Sequence, residues 1–209
     1  MNSIVTGASS GIGLAIYRHL QAKSDRVFGL SRRGPIKMDL RFPTVLGELA
    51  HFTEGDPIHV VVLNHGVLSF QEEYDEGLLY DVNFKSYWNF LLEARHIVQP
   101  GGCIILNASV SGVMGDKDCP LYAALKAGII NLTKTYAKIL MKDKIRVNCF
   151  SCGFFKTNLV EGDTPQELVD TIPMGREADP EEILPVIDAL IDCKYITGQN
   201  IIVDGGLSL

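Results

Sequence analysis

Tyr122 and Lys126 stand four residues apart, in the spacing Y-x-x-x-K, at the start of a segment with helical periodicity. That spacing puts both side chains on one face of a helix. A phenol has an ordinary pKa near ~10 and yields its proton poorly at neutral pH. An ammonium beside it favours the phenolate, which makes the pair a candidate general acid/base. Ser109, just past the preceding apolar run, offers a hydroxyl to a substrate oxygen. A second constellation opens the chain, Thr6-Gly7-Ala8-Ser9-Ser10-Gly11-Ile12-Gly13. It follows the apolar pair Ile4-Val5 and leads into Ile12, Ala15, Ile16 and Leu20 on one helical face. A strand that turns on glycine and becomes a helix presents free N–H groups at the positive end of the helix dipole, a ready phosphate site. Gly7 suits the tight turn, Gly11 lets the backbone approach a pyrophosphate, and Gly13 lets helix and strand pack closely. Taken alone, Y-x-x-x-K also fits a packed ring beside a solvated amine, and the glycine stretch also fits an ordinary turn.

The elements that must position these groups alternate in type. Strands are expected at 2–6, Arg26–Leu30, Ile36–Leu40, Ile58–Leu63, Cys103–Asn107, Ile145–Phe150 and Gln199–Val203. Helices are expected at 11–22, 42–53, 77–98 (stopped by Pro100-Gly101-Gly102), 120–142, 164–172 and 180–192. In the clearest helix Leu125, Ile129, Leu132, Tyr136 and Leu140 keep one face apolar, while Ala123, Ala124, Ala127 and Gly128 suit close packing. Strands alternating with helices imply parallel crossovers and an α/β, Rossmann-type doubly wound parallel sheet of about seven strands, flanked by helices in a single domain over 1–209. The stretch 154–178, rich in Gly, Pro and charge, is the candidate lid. Ligands of an open parallel sheet bind beyond the carboxyl ends of its strands. Ser31, Arg32, Asp39, Asn64, Ser109 and Gly153 all fall there, so unrelated strands place their distinctive residues on one edge.

Composition narrows the function. The chain has 209 residues, 46% hydrophobic and 21% charged, enough for a well-buried core. A net charge of −6 argues against nucleic acid or an anionic membrane as partner. No apolar run approaches the ~20 residues of a membrane span, and no signal pattern is visible, so a cytoplasmic location is expected. The five cysteines suit free thiols in a reducing compartment. Cys149 and Cys152 form C-x-x-C without a second ligand pair, so no metal site is expected.

These residues together resemble a short-chain dehydrogenase/reductase, from Thr6 to Gly206. Thr6–Gly13 matches the family's T-G-x-x-x-G-x-G, and Asn64-His65-Gly66 is similar to its N-A-G turn. Asn83 stands at its helix asparagine, and Ser109 precedes Tyr122 by the usual thirteen residues. Asn148 to Thr157 resembles N-x-x-x-P-G-x-x-x-T; Ile196–Gln199 and Val203–Gly206 resemble the closing segment, as in 3-oxoacyl-(acyl-carrier-protein) reductases. The resemblance implies a carbonyl/alcohol oxidoreductase. Ser109 would hold the oxygen, Tyr122 exchange its proton, Lys126 lower the tyrosine pKa and bind the ribose, and Asn83 place a water in a relay. It also implies dinucleotide contacts at Gly7, Ser9, Ser10, Gly11, Ile12, Gly13, Ser31, Arg32, Arg33, Asp39, Leu40, Asn64, His65, Gly66, Tyr122, Lys126, Gly153, Phe155 and Thr157. Two residues depart from the pattern: Cys152 replaces a proline, which loosens the turn before Gly153, and His65 replaces an alanine, read as packing over the cofactor. The segment joining the second and third strands is short, which opens the adenine side.

An NAD site carries an acid at the end of the second strand; here that place reads Ser31-Arg32-Arg33. Arginine pairs with a 2′-phosphate, so NADP(H) is expected over NAD(H). Asp39 ends the third strand and, by the resemblance, lies with Leu40 near the adenine. Ser111, Val113, Met114 and Phe154-Phe155 would wall a largely apolar pocket for a small carbonyl or alcohol. A homodimer or homotetramer is implied by the family. Enoyl reduction, epimerisation or a non-catalytic NADP-sensing role are the alternatives on the same frame.

Overall fold

The computed structural model describes residues 1–41, 47, 53–68, 75–157, 159 and 164–209. Seven parallel strands form one sheet in the order β3-β2-β1-β4-β5-β6-β7. They are β1 (Asn2–Thr6), β2 (Arg26–Ser31), β3 (Ile36–Lys37), β4 (Ile58–Leu63), β5 (Val98–Asn107), β6 (Arg146–Cys152) and β7 (Asn200–Val203). The helices are α1 (Gly11–Gln21), α2 (Glu76–Tyr80), α3 (Ser86–Ile97), α4 (Ser111–Met114), α5 (Pro120–Leu140), α6 (Gln166–Val169) and α7 (Leu184–Asp192). The single-domain, doubly wound sheet read from the sequence is the architecture observed.

The middle of the sheet is mainly apolar on both sides because both faces are covered, with polar residues such as His59 and Asn148 among the strand residues. Successive side chains on a strand point to opposite faces. Ile4, Val61, Leu63, Ile104 and Leu106 therefore join Ile129, Tyr136 and Leu140 of α5 in one core. Val5, Val60, Val62, Cys103 and Ile105 join Ile12, Ile16 and Leu20 of α1 and Ile187 and Leu190 of α7 in the other. The small residues of α5 do what their size suggested. A side chain at Gly128 would meet Phe84 at 2.6 Å, and one at Gly112 would meet the Ala127 backbone nitrogen at 2.6 Å.

Several boundaries differ from the sequence expectation. The helix expected at 77–98 is α2 and α3 joined by a π turn at Asp81–Lys85. The strand after it starts at Val98, because Pro100-Gly101-Gly102 sits inside β5, where the pairing register with β4 shifts between Ile58 and Val60. β3 keeps only Ile36–Lys37; beyond it Asp39 turns back to bond Arg41. Only Gln166–Val169 of 164–172 is α-helical, and 180–192 begins as a 3-10 turn at Pro180–Ile183 under an Asp179/Glu182 capping box. Most of the helix expected at 42–53 lies outside the described residues. Among the described residues no helix is long and apolar enough to cross a membrane.

Candidate active site

Strand order reverses direction around β1 and β4, and a cleft of about 700 Å³ opens beyond their carboxyl ends. Its upper wall is the turn between β1 and α1. Gly7 and Gly11 take positive φ, 69° and 51°, where a side chain is strained. A side chain on Gly11 would also strike Thr157 at 2.9 Å. Gly13 lies behind the wall, where an added carbon would sit 2.2 Å from the Gly7 carbonyl oxygen. The Ser10 side chain makes no cap to α1, and the first turn of α1 carries no acid. The first-turn N–H groups thus keep their affinity for an anion.

The turn after β4 is tied to this wall by one hydroxyl. The Thr6 Oγ accepts the Asn64 N–H at 2.8 Å and the His65 N–H at 3.3 Å, and it meets the His65 Nδ1 at 2.7 Å. Asn107 of β5 donates its side-chain amide to the Asn64 side-chain oxygen at 2.9 Å, so three strand ends are cross-braced below the glycine turn.

Tyr122, Lys126, Asn64, His65 and Gly66 line the inner end of the cleft. The Lys126 Nζ donates to the Asn107 carbonyl at 2.9 Å and lies 5.5 Å from the ring centres of both Tyr87 and Tyr122. A charge so enclosed loses water, and the ammonium is pushed down to about 8. The Tyr122 phenol is raised above its ordinary value by burial; a hydrogen bond with Ser109 is the main opposing cause. The sequence leads one to expect a tyrosine pKa lowered by Lys126; in the structure burial is the largest influence on the phenol and raises it. Ser109 stands between Tyr122 and α4, its Oγ also accepting the Ser111 N–H at 3.2 Å. Asn83, fully buried in the π turn, accepts the Val67 N–H at 3.1 Å and donates to the Val67 carbonyl at 2.8 Å. The Asn83 side chain thus braces the chain after β4.

At the outer end the cleft is lined by Ser31, Arg32, Arg33, Asp39, Leu40 and Arg41. Arg32 and Arg33 are exposed, and the buried Ser31 Oγ has no partner. Asp39 is held by Arg41 through Nε at 2.9 Å and Nη2 at 2.6 Å. That pair keeps its carboxyl below the ordinary range, with Arg32 adding to the effect. The orphaned Ser31 hydroxyl, the uncapped helix start and the glycine wall fit a dinucleotide with its phosphates at α1.

Gly153 and Phe155 are not among the described residues that line the cleft. Gly153 presses on Asp204, where a side chain would lie 2.8 Å from the Asp204 Cα. Phe155 is buried in the core beside α7 and bridges to Ala178. Cys152 does not loosen its turn: it pairs with Val203, and its carbonyl accepts the Val110 N–H at 2.9 Å. The sequence reading missed Thr6, Ser86, Tyr87 and Asn107. Polar side chains at the ends of apolar strands were the available signal for Thr6 and Asn107; nothing marked Ser86 or Tyr87.

The sequence model of the family described as Enoyl-(Acyl carrier protein) reductase matches residues 51–208. The chain is 32% identical to 3-oxoacyl-(acyl-carrier-protein) reductase FabG of Chlamydia pneumoniae, over 98% of this chain and 96% of that one. It is 38% identical to the FabG of Thermotoga maritima over 72% of this chain. The matched stretch spans 66% of the length of that relative, and 48% of others. A short-chain type dehydrogenase/reductase from Mycobacterium marinum superposes with a TM-score of 0.90 at 28% identity, covering 99% of this chain and 95% of that one. The chain belongs to the short-chain dehydrogenase/reductase family, oxidoreductases that use nicotinamide dinucleotides.

Burial leaves Lys126 near 8, against an ordinary 10.5. Between those values the unfolded chain holds this proton and the folded chain releases it, so stability rises with pH across that window. Relative to Lys126→Met, the wild-type protein is expected to gain urea resistance as the pH is raised from about 8 towards 10.5. Identical pH dependence in the two proteins would contradict the burial of a charged lysine.

Proposed function

We propose that this protein is an NADP(H)-dependent oxidoreductase that interconverts a carbonyl and an alcohol. One observation carries the reading: the Tyr122 phenol, bonded to Ser109, sits with the Lys126 ammonium at the inner end of a cleft whose outer end is built for a dinucleotide. Bound nicotinamide supplies or receives the hydride. Ser109 and Tyr122 present two hydroxyls to one substrate oxygen. Tyr122 gives its proton to that oxygen in reduction and takes it back in oxidation. Lys126 stabilises the phenolate left behind, against the burial that opposes it. Asn83 keeps the Val67 segment in place beside Lys126.

NADP(H) is favoured over NAD(H) because no acid at the end of β2 is free for a ribose. Asp39 is occupied by Arg41, whereas Arg32 and the unpartnered Ser31 hydroxyl suit a 2′-phosphate. The exposed side chains of Val113, Met114 and Leu159 suit an apolar carbonyl compound of modest size. The enoyl reading follows the description of the matching family, but the Ser109–Tyr122 pair is the arrangement for an oxygen substrate. The stripe Tyr80–Phe84–Trp88–Leu92, with Trp88 41% and Leu92 53% exposed, is the proposed face for a homodimer or homotetramer.

Tyr122→Phe is expected to lower turnover of carbonyl substrates by about 10²-fold or more, followed by NADPH absorbance, while leaving NADPH affinity within about two-fold. Full activity in this variant would remove Tyr122 from the chemistry. Arg32→Ala should weaken NADPH binding by about ten-fold and leave NADH binding unchanged; equal loss of both would refute the 2′-phosphate assignment. Trp88→Glu should lower the sedimentation mass to that of one chain, and an unchanged mass would place the interface elsewhere.

A further inference from the structure

His65 occupies a turn position where the family has alanine, and its surroundings are those of an engaged imidazole. Nδ1 lies 2.7 Å from the Thr6 Oγ, and Nε2 lies 2.7 Å from the Ser86 Oγ. The protons can be placed from the neighbours. The Thr6 oxygen already accepts two backbone N–H groups, and its own proton has two acceptors in reach, the Val62 carbonyl at 3.4 Å and the much closer Nδ1 at 2.7 Å, which takes it. The Ser86 hydroxyl donates to the Val82 carbonyl at 2.8 Å, so its oxygen accepts from Nε2. The result is one directional chain, from Thr6 to His65 to Ser86 to Val82.

The far end of that chain is the π turn. There the Ser86 N–H bonds the Asp81 carbonyl, five residues back, and the Val82 carbonyl is left for the Ser86 hydroxyl. Asn83 is the next residue. His65 also grips the residue after Ser86. Its carbonyl accepts the Tyr87 hydroxyl at 2.6 Å, and its ring packs on the Tyr87 ring at 4.6 Å between centres. The Tyr87 ring is one of the two that flank the Lys126 ammonium.

We propose that His65 is a positioning residue of the active site: its Nε2-protonated ring ties the end of β1 to the Asn83 turn through Ser86, and its ring face and carbonyl hold Tyr87 against Lys126. The assignment rests on the catalytic reading of Asn83 and Lys126, and it replaces the simple packing role expected from the sequence. Burial supports a neutral ring, first by desolvation and then by repulsion from Lys126, which together push the imidazole down to about 3.

The test uses the full-length protein with ¹⁵N-labelled histidine, together with Ser86→Ala and Ser86→Thr. The wild-type His65 ring is expected to show a bare Nδ1 and a protonated Nε2, without titration between about pH 5 and 8. Ser86→Ala should speed exchange of the Val67 amide, which Asn83 holds, by about ten-fold, with β4 unchanged and Ser86→Thr restoring protection. In turnover, Ser86→Ala should lower kcat by about ten-fold with NADPH affinity held within about two-fold, and Ser86→Thr should recover it. A protonated Nδ1, a ring titrating near its ordinary value of about 6.5, or unaltered Val67 exchange in Ser86→Ala would overturn the proposal. Should the wild-type protein reduce no carbonyl compound, the function proposed above fails, while the ring spectrum and the Val67 exchange still decide the role of His65.

Discussion

A single ammonium enclosed beneath the cleft, that of Lys126, sets the terms for the structure around it. A charge removed from water is costly unless polar partners surround it. Lys126 receives one carbonyl, that of Asn107, and the faces of two tyrosine rings. Each partner comes from a different element: Asn107 ends β5, Tyr87 opens α3, and Tyr122 lies one turn earlier on α5. The lysine can be held this way only if β5, α3 and α5 keep their mutual positions. The site and the fold therefore share constraints. The close approach at Gly128 and Gly112 brings α5 against Phe84 and α4, and the π turn sets where Tyr87 and Asn83 emerge.

The same economy governs the outer half of the cleft. The Thr6 hydroxyl joins β1 to the turn after β4, and the Asn64–Asn107 bond carries the brace to β5. The walls are thus fixed by polar side chains at strand ends, while the strand centres are mainly apolar. Along the rim, charge is distributed to match a dinucleotide. The helix start is uncapped, Asp39 is paired with Arg41, and Arg32 lines the cleft.

Much of this was legible in the sequence, for reasons that can be named. Glycines at 7, 11 and 13 announce the turn because few other residues fit there, and Gly13 is walled in by the Gly7 carbonyl. Runs rich in β-branched residues such as Ile58–Leu63, apolar but for His59, announce strands covered on both sides. Y-x-x-x-K puts Tyr122 and Lys126 on one face whatever surrounds the helix. The rest depends on three-dimensional context. A π turn leaves no periodicity signature in five residues, so 77–98 reads as one helix. Pro100 reads as a helix stop, yet it also fits the irregular start of β5. The length of β3 depends on Asp39 turning towards Arg41, a pairing two residues apart that competes with the ladder. Motif position puts Gly153 and Phe155 near a cofactor, and nothing in the sequence marks their packing against Asp204 and Ala178. The tyrosine pKa followed from a pairwise view of Tyr122 and Lys126, whereas burial acts on the phenol from every side.

The claim on which everything else stands is that the cleft holds a phosphorylated nicotinamide dinucleotide. Fluorescence titration of the purified protein with NADPH, and separately with NADH, measures it most directly. The account predicts saturable NADPH binding at least about ten-fold tighter than NADH binding, as one charge-assisted phosphate contact would give. Preference for NADH would contradict the assignment at Ser31 and Arg32, and failure to bind either nucleotide would contradict the reading of the cleft itself.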